Sequence, residues 1–546
     1  MAVTLDTAIT DWYTVVEVAL SSGTLYLSKE GRILDNNTVY QGRILSMGEL
    51  RLSAGRLLEP KIITAGLTMT FDNSDEYFSD LTQTDTFAGA AVTVKFGNGT
   101  AAANLTTIYT GVVRISGGWE ANERTFRINI DDASTANTTS LPTNAFWASA
   151  YANVEDKSLN LPIPLVYGDW SSSVGGGLKV PCHQIDSTAG TGGKFKIADH
   201  ALKTIEKVFN GSTDITSNCS LDAANGEFTI TTGTYDELTQ TVTANVKGAT
   251  DDGLTTGTLL QSLPDILDDI LQTHMGVAAG NIDSTAFAAW GTNLAAVDYG
   301  RRVINTELSS NTIIRELLVD GFADMTIRDG KYFPVYRSVP VAGLSSFRES
   351  DIVTGSGGEK LFSVQNDPED IYVNKCVGDY RFAPTTGGFS ERYTKTDAAA
   401  ITAVGATVRK RLKLQWLYQD SGAEGRVQRQ ILAYSTATEA APVTLGPRAL
   451  TLQPTDLFYL VFGIYDLGSD AGTPFQVRQI TPNFDTLEAR VTGWNFFNLS
   501  SGHWTADSAV VYTSSTTQQK AENGFWTNSA GLPDPPNADP DKHFWF

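Results

Sequence analysis

Leu67-Thr68-Met69-Thr70-Phe71, Val92-Thr93-Val94-Lys95-Phe96 and Phe126-Arg127-Ile128-Asn129-Ile130 each alternate apolar and polar side chains, residue by residue. Successive side chains of an extended chain point to opposite faces, so this period of two predicts strands with one face buried and one wet. Turn-forming clusters separate such runs, at Ser21-Ser22-Gly23, Asp35-Asn36-Asn37, Asn73-Ser74-Asp75 and Gly97-Asn98-Gly99. Many short strands punctuated in this way predict a sandwich or barrel. We therefore expect a barrel-like β domain over residues 1–150, its strands ending near Pro142.

Beyond the closely spaced Pro162 and Pro164, a second β module is expected over residues 151–255. Phe228-Thr229-Ile230-Thr231 and Val242-Thr243-Ala244-Asn245-Val246 read as its strands, and Asn225-Gly226 is a favoured turn pair before the first. The stretch from Ile197 to Val208 reads equally as a short helix or an edge. Residues 256–365 carry the helical signals. After Ser262, Leu263, Ile266, Leu267, Ile270 and Leu271 recur at helical spacing, with Pro264 at the start and Gly276 placed to stop the helix. A second helix runs from about Ser310 to Gly321 and leads into a hairpin turning on Asp329-Gly330. Residues 366–510 return to strands, including Leu457–Val461 and Phe475–Ile480, with a helix at about Ala423 to Tyr434. Residues 511–546 read as an extended tail, because the proline-rich Gly531-Leu532-Pro533-Asp534-Pro535-Pro536 cannot continue regular structure. Phe544, Trp545 and Phe546 close it, and three aromatic side chains are costly to leave in water, so this end is expected to dock.

The fold class that follows is mainly β with a minor α+β part, several β-barrel or β-sandwich domains in one chain. No short repeat is visible, but β regions flanking a mixed middle hint at two related outer barrels. Composition agrees: of 546 residues 41% are hydrophobic and 18% charged, and there are 49 Gly but only 5 Met. The formal charge of −21 repels phosphate backbones and anionic membranes and disfavours stable nucleic-acid binding. Cys182, Cys219 and Cys376 are too few and too scattered for a disulfide framework or a clustered metal site, which fits synthesis in a reducing cytoplasm. The N-terminus lacks a signal-peptide pattern and no apolar run is long enough to span a membrane, so the Asn-x-Ser/Thr sequons read as composition rather than glycosylation.

No constellation for catalysis emerges. His183, His200, His274, His503 and His543 lack the paired spacing of a helical metal site. Cys182-His183 juxtaposes a thiol and an imidazole, but neighbours on a strand face opposite ways. Asp251-Asp252 and Asp268-Asp269 are two of many acidic pairs in an acidic chain. Gly175-Gly176-Gly177 and Gly190-Thr191-Gly192-Gly193-Lys194 lack phosphate-loop spacing, and Phe195 stands where such a loop needs Ser or Thr. We expect no catalytic residue, cofactor or metal.

In order and phrasing the chain resembles tail-tip, or baseplate-hub, proteins of long-tailed bacteriophages. The likeness rests on Tyr109-Thr110-Gly111-Val112-Val113, Ile128-Asn129-Ile130-Asp131-Asp132 and the module opening Ile163-Pro164-Leu165-Val166-Tyr167-Gly168. Further along it rests on Ile313-Ile314-Arg315-Glu316-Leu317-Leu318 with Asp329-Gly330-Lys331, on Pro474-Phe475-Gln476-Val477 before Leu487-Glu488-Ala489-Arg490-Val491, and on Gly524-Phe525-Trp526-Thr527. The resemblance implies a structural virion protein, a homotrimer whose two barrels per chain offer six similar surfaces. Such a ring closes the tail tube, adapts its symmetry to the tip and gates DNA exit. Its implied partners are the distal tail ring, the tape measure and tip or fibre proteins, with DNA only in transit. A distal-tail ring carrying fibres and a tail-associated glycan-binding or depolymerase protein are the alternatives.

Overall fold

The computed structural model describes residues 12–495, apart from 51, 54, 57–58, 61–65, 133–138, 175–176, 237, 295–297, 329, 338–344, 367–371, 436–438 and 462–472, together with 525–527 and 543–545. The protein is mainly β, with several sheets and a smaller helical part. Residues 1–497 form one compact unit and 498–546 a second.

The first sheet is built on β1 (Trp12–Leu20), β2 (Ile44–Met47), β3 (Gly66–Asp72), β4 (Ala91–Asn98), β5 (Thr106–Val113) and β6 (Thr125–Asp132). The three alternating runs fall in β3, β4 and β6. Leu67, Met69, Phe71, Val92, Val94, Phe96, Phe126, Ile128 and Ile130 are all buried, while the intervening polar residues are not. Helix α1 (Tyr77–Thr84) follows β3 and drops Phe78 onto the inner face, where its ring stacks on Phe126 at 4.9 Å between centroids. Each such fully buried aromatic contributes about 1.5–3 kcal/mol.

The middle of the chain is a module of two four-stranded sheets followed by helices. One sheet orders Val180–Pro181, Val242–Lys247, Thr204–Asn210 and Thr213–Asp214, and the other His183–Asp186, Lys194–Lys196, Glu227–Ile230 and Cys219–Asp222. The stretch left open from Ile197 to Val208 thus contributes a strand. Residues of both sheets, with Trp170 and Leu202, share one apolar core. Helix α2 (Leu263–Asp269) continues as a wider turn through Ile270–His274, and all five of its spaced apolar residues are fully buried. Gly276 ends it with φ 70°, a conformation that favours glycine. Helix α3 (Ser284–Asn293) was not foreseen, its Asp283 cap being a weaker signal than a periodic face. Helix α4 (Ser310–Asp320) is capped by Ser309, which accepts from Thr312 N. The hairpin β7 (Ala323–Arg328) and β8 (Lys331–Tyr336) pairs Arg328 with Lys331 across a two-residue turn, Gly330 taking φ 75°. Asp329 itself lies outside the described residues.

Strands β9 (Ser345–Arg348) and β10 (Gln365–Asn366) come next. An inserted layer follows, with β11 (Lys375–Ala383), β12 (Gly388–Thr396), α5 (Ala398–Val404), β13 (Arg409–Lys413) and α6 (Asp420–Tyr434). The chain then returns through β14 (Glu439–Leu445), β15 (Leu457–Val461), β16 (Thr473–Asn483) and β17 (Glu488–Asn495). The second unit pairs β18 (Phe525–Thr527) antiparallel with β19 (His543–Trp545), setting Phe525 opposite Trp545 and Trp526 opposite Phe544. The proline-rich stretch of the tail and Phe546 lie outside the described residues.

Candidate functional site

The organising feature of the molecule is a duplication. The first sheet has ten strands, extending past β1 through Gly23–Ser28, Val39–Gly42 and Arg32–Ile33, and six of them follow the path β1-β4-β5-β6-β3-β2; across the sheet formed late in the chain the path runs β9-β15-β16-β17-β14-β10. Numbered by their order within each set of six, both read 1-4-5-6-3-2. Four of the five pairings agree in sense, all antiparallel. The fifth differs, β1 running antiparallel to β4 and β9 parallel to β15. The two sheets bury their inner faces in one common core that joins Met69, Phe126 and Ile130 to Val443, Phe458, Phe475 and Val491. A short strand of the first half, Leu52–Ser53, adds to the second sheet at Gln479–Ile480.

The faces turned from that core are alike in chemistry. On the first sheet Thr68, Thr70, Thr93, Lys95, Arg127 and Asn129 alternate with the buried residues. On the second, Thr444, Thr481, Glu488, Arg490 and Thr492 line an open groove of about 620 Å³. Hydroxyls and a few charges on an ordered sheet make a surface that stays wet alone and can hydrogen-bond a neighbouring protein without trapping bare charge. Chemically the arrangement can support assembly; it offers no activated nucleophile.

The second sheet is tied to the middle of the chain by buried charge. Asp324 of β7 accepts from Arg337 Nε at 2.9 Å and Nη2 at 2.8 Å, and from Arg478 Nη1 of β16 at 3.0 Å. Burial pushes the Asp324 carboxyl up, but the two guanidinium groups outweigh it and hold it below its ordinary value. Nearby, Asp320 at the end of α4 accepts from Trp416 N at 2.7 Å and Leu417 N at 3.3 Å. Burial pushes this carboxyl up to about 7.

The residues singled out in the sequence are dispersed. Cys182 and His183 face opposite ways. Cys182 lies in the core of the second module, where burial pushes its thiol well up. His183 packs tilted against Phe146 and contacts Ser158 Oγ at 2.7 Å. Sequence reasoning had not placed Ser158 and Glu155 beside it, because they come from a loop 25 or more residues earlier. The trio has the composition of an acyl-transfer relay but not its wiring. Ser158 donates to Glu155 Oε1 at 2.5 Å, the glutamate also accepts from Tyr235 OH at 2.9 Å, and Ser158 is fully buried. Burial lowers the His183 pKa against the pull of Glu155. His200 is fixed in one tautomer, accepting from Val166 N at 2.9 Å and donating to Ala201 O at 2.9 Å. His274 lies 3.8 Å from Asp269, which also accepts from Tyr167 OH at 2.6 Å. His503 is outside the described residues, and His543 lies in β19. Asp251 and Asp252 accept from Thr258 N and Leu254 N within one turn, and Asp268 accepts from Gln272 Nε2. Gly190 and Gly193 take positive φ beside the Lys194–Glu227 ion pair; Gly175 and Gly176 lie outside the described residues. Among the described residues no group of three or more His, Cys, Asp or Glu could hold a metal ion, and no helix is long and apolar enough to cross a membrane.

No family model matches the chain, and no curated protein does. Among solved structures the chain is similar to the 43 kDa tail protein of prophage MuSo2 from Shewanella oneidensis, with 14% identity over 88% of this chain and 98% of that one and a TM-score of 0.38. It is similar to a tail protein from Neisseria meningitidis MC58, with 8% identity over 89% and 98% and a TM-score of 0.40. It is also similar to a chain in the virion of a native gene transfer agent particle, with 12% identity over 65% and 89% and a TM-score of 0.41.

Proposed function

We propose that this chain is a structural protein of a bacteriophage tail tip, a hub that trimerises into a ring, closes the tail tube and gates DNA exit. The observation that supports the reading is the six-strand path that recurs in both large sheets. A protein with one copy of a sheet per chain needs six chains to meet a sixfold tube, whereas a protein with two copies needs three. Each trimer then has a sixfold-like set of hydroxyl-lined faces on one side and true threefold symmetry elsewhere, which is what an adaptor between a tube and a tip requires.

In this reading the partners are a second and third copy, the distal tail ring, the tape measure and tip or fibre proteins, and the protein resides in the virion after synthesis in the host cytoplasm. Its work is mechanical, with no catalytic residue and no cofactor. The terminal Phe544, Trp545 and Phe546 serve as a docking element, and a wall that is not net basic lets DNA pass without being held. The distal-tail ring alternative requires a hexamer. Light scattering on the purified chain, alone and with tail partners, separates the two: three copies per ring are expected. Six copies would favour the distal ring, and a persistent monomer in the presence of partners would overturn both.

A further inference from the structure

The inserted layer carries a charge opposite to that of the molecule. Between Lys375 and Lys413 the chain has eight Lys or Arg and three Asp or Glu, within a protein whose formal charge is −21. The strand order is β12-β11-β13. The registers, antiparallel to β12 and parallel to β13, sort these residues onto two faces. One face meets α6, where a Cβ on Gly378 would lie 2.6 Å from Val427 Cγ2. The other carries Thr396, Lys375 and Arg409 in one row, Thr394, Val377 and Arg411 in the next, and Arg392, Asp379 and Lys413 in the third.

Five cations therefore share this second face with one carboxylate. Asp379 is buried between two arginines, accepting from Arg392 Nε at 2.7 Å and from Arg411 Nε. Each contact uses only the inner nitrogen of a guanidinium whose side chain is more than half exposed, which leaves the outer amino groups for a ligand. Among the described residues no carboxylate reaches Lys375, Arg409 or Lys413. Along β13, Arg409, Arg411 and Lys413 recur every second residue, a spacing of about 6.6 Å.

We propose that this face makes a transient contact with the phosphate backbone of duplex DNA. Fixed arginine forks, point-charge lysines and two threonine hydroxyls are the groups that contact phosphates. Cores of protein interfaces are depleted in lysine and enriched in aromatic residues, and Val377 is the one apolar side chain in these three rows, so an acidic protein is the weaker fit. Base-stacking aromatics are missing from the rows as well, so the contact is independent of sequence. The proposal goes beyond the ring reading and does not depend on the copy number.

The test is fluorescence anisotropy of the full chain with a labelled duplex of about 20 base pairs, from about 25 to 200 mM salt. Wild type is expected to bind at low salt and release steeply as salt rises. Arg409→Glu combined with Lys413→Glu, at exposed positions that no carboxylate of the described residues reaches, is expected to weaken binding at least tenfold while leaving the melting curve unchanged. Should that variant melt differently, Arg409→Gln with Lys413→Gln carries the same test. Three outcomes overturn the proposal: wild type that fails to bind duplex at low salt, variants that bind as wild type does, or poly-glutamate bound as tightly as duplex. The last would assign the face to an acidic protein.

Discussion

The two large sheets share a six-strand path and differ in how they are filled. In the first, the runs 67–71, 92–96 and 126–130 alternate strictly and bury Leu67, Met69, Phe71, Phe126, Ile128 and Ile130, although the pairing shifts register at Val94/Lys95 and at Ile44/Ser46. The second carries Pro442, Pro474 and Pro482 in its strands, and a register shift between Val477 and Gln479 breaks its alternation. In the second, Gly493 makes room for aromatics, since a Cβ there would lie 2.7 Å from Phe458 Cζ and 2.9 Å from Phe475 Cβ. Strand order is thus preserved while the side chains that fill the core are not. What a duplicated fold requires is that each inner face remain apolar and of the right volume, and many sequences meet that condition.

The largest expected effect tests the anchor of the second sheet. Asp324→Ala leaves Arg337 and Arg478 buried without their shared carboxylate and is expected to cost about 3–5 kcal/mol in urea unfolding. A loss below about 1 kcal/mol would show that the junction is hydrated and does not fix the second sheet.

Next come matched truncations. Leu67→Ala in the first sheet and Leu460→Ala in the second are each expected to cost about 2–5 kcal/mol and to shift one and the same transition, because both side chains lie in the common core. Two transitions, each moved by one substitution alone, would break the idea that the sheets fold as one body.

The pH dependence sharpens the comparison at the junction. The folded Asp320 carboxyl titrates near 7, above its unfolded value, so its stabilising share is complete below the unfolded pKa and is lost as pH rises through about 7. His183, His200 and His274, lowered mainly by burial, act in the opposite sense, contributing stability at neutral pH that is lost in acid. Asp320→Asn isolates the first effect. Relative to wild type it should gain about 2–3 kcal/mol between pH 5 and pH 7, at about 1.4 kcal/mol per unit. Equal melting temperatures at both pH values would place the carboxylate in water.

The smallest expected effect is overpacking of the second sheet. Gly493→Ala should cost about 1–3 kcal/mol, with Phe458 and Phe475 forced to move. A neutral result would mean that this half of the core is loosely filled.

How much of this was legible follows from the same contrast. Strict alternation at 67–71, 92–96 and 126–130 revealed the first sheet, and the periodic apolar faces of α2 and α4 revealed those helices. The equivalence of the two sheets was no more than a hint, because Pro442, Pro474, Pro482 and the shift at Val477 disrupt the period that would have exposed it. The basic face of the inserted layer was hidden for another reason. Lys375, Arg392 and Arg409 lie far apart in sequence, the whole-chain charge is strongly negative, and only the register of β11 with its two neighbours gathers them. Ser158 and Glu155 came to His183 through tertiary packing, which leaves no local trace.

The pairing of Leu52–Ser53 with Gln479–Ile480 has a consequence for synthesis. At roughly 5–20 residues per second a ribosome delivers the second partner some 20–90 s after the first, about 430 residues later. For that interval the apolar residues of the first sheet lack the half of the core that covers them. The nascent chain must therefore be shielded by a chaperone or kept from its neighbours on the same message, and slow or premature termination before residue 480 should yield aggregates rather than a stable amino-terminal fragment.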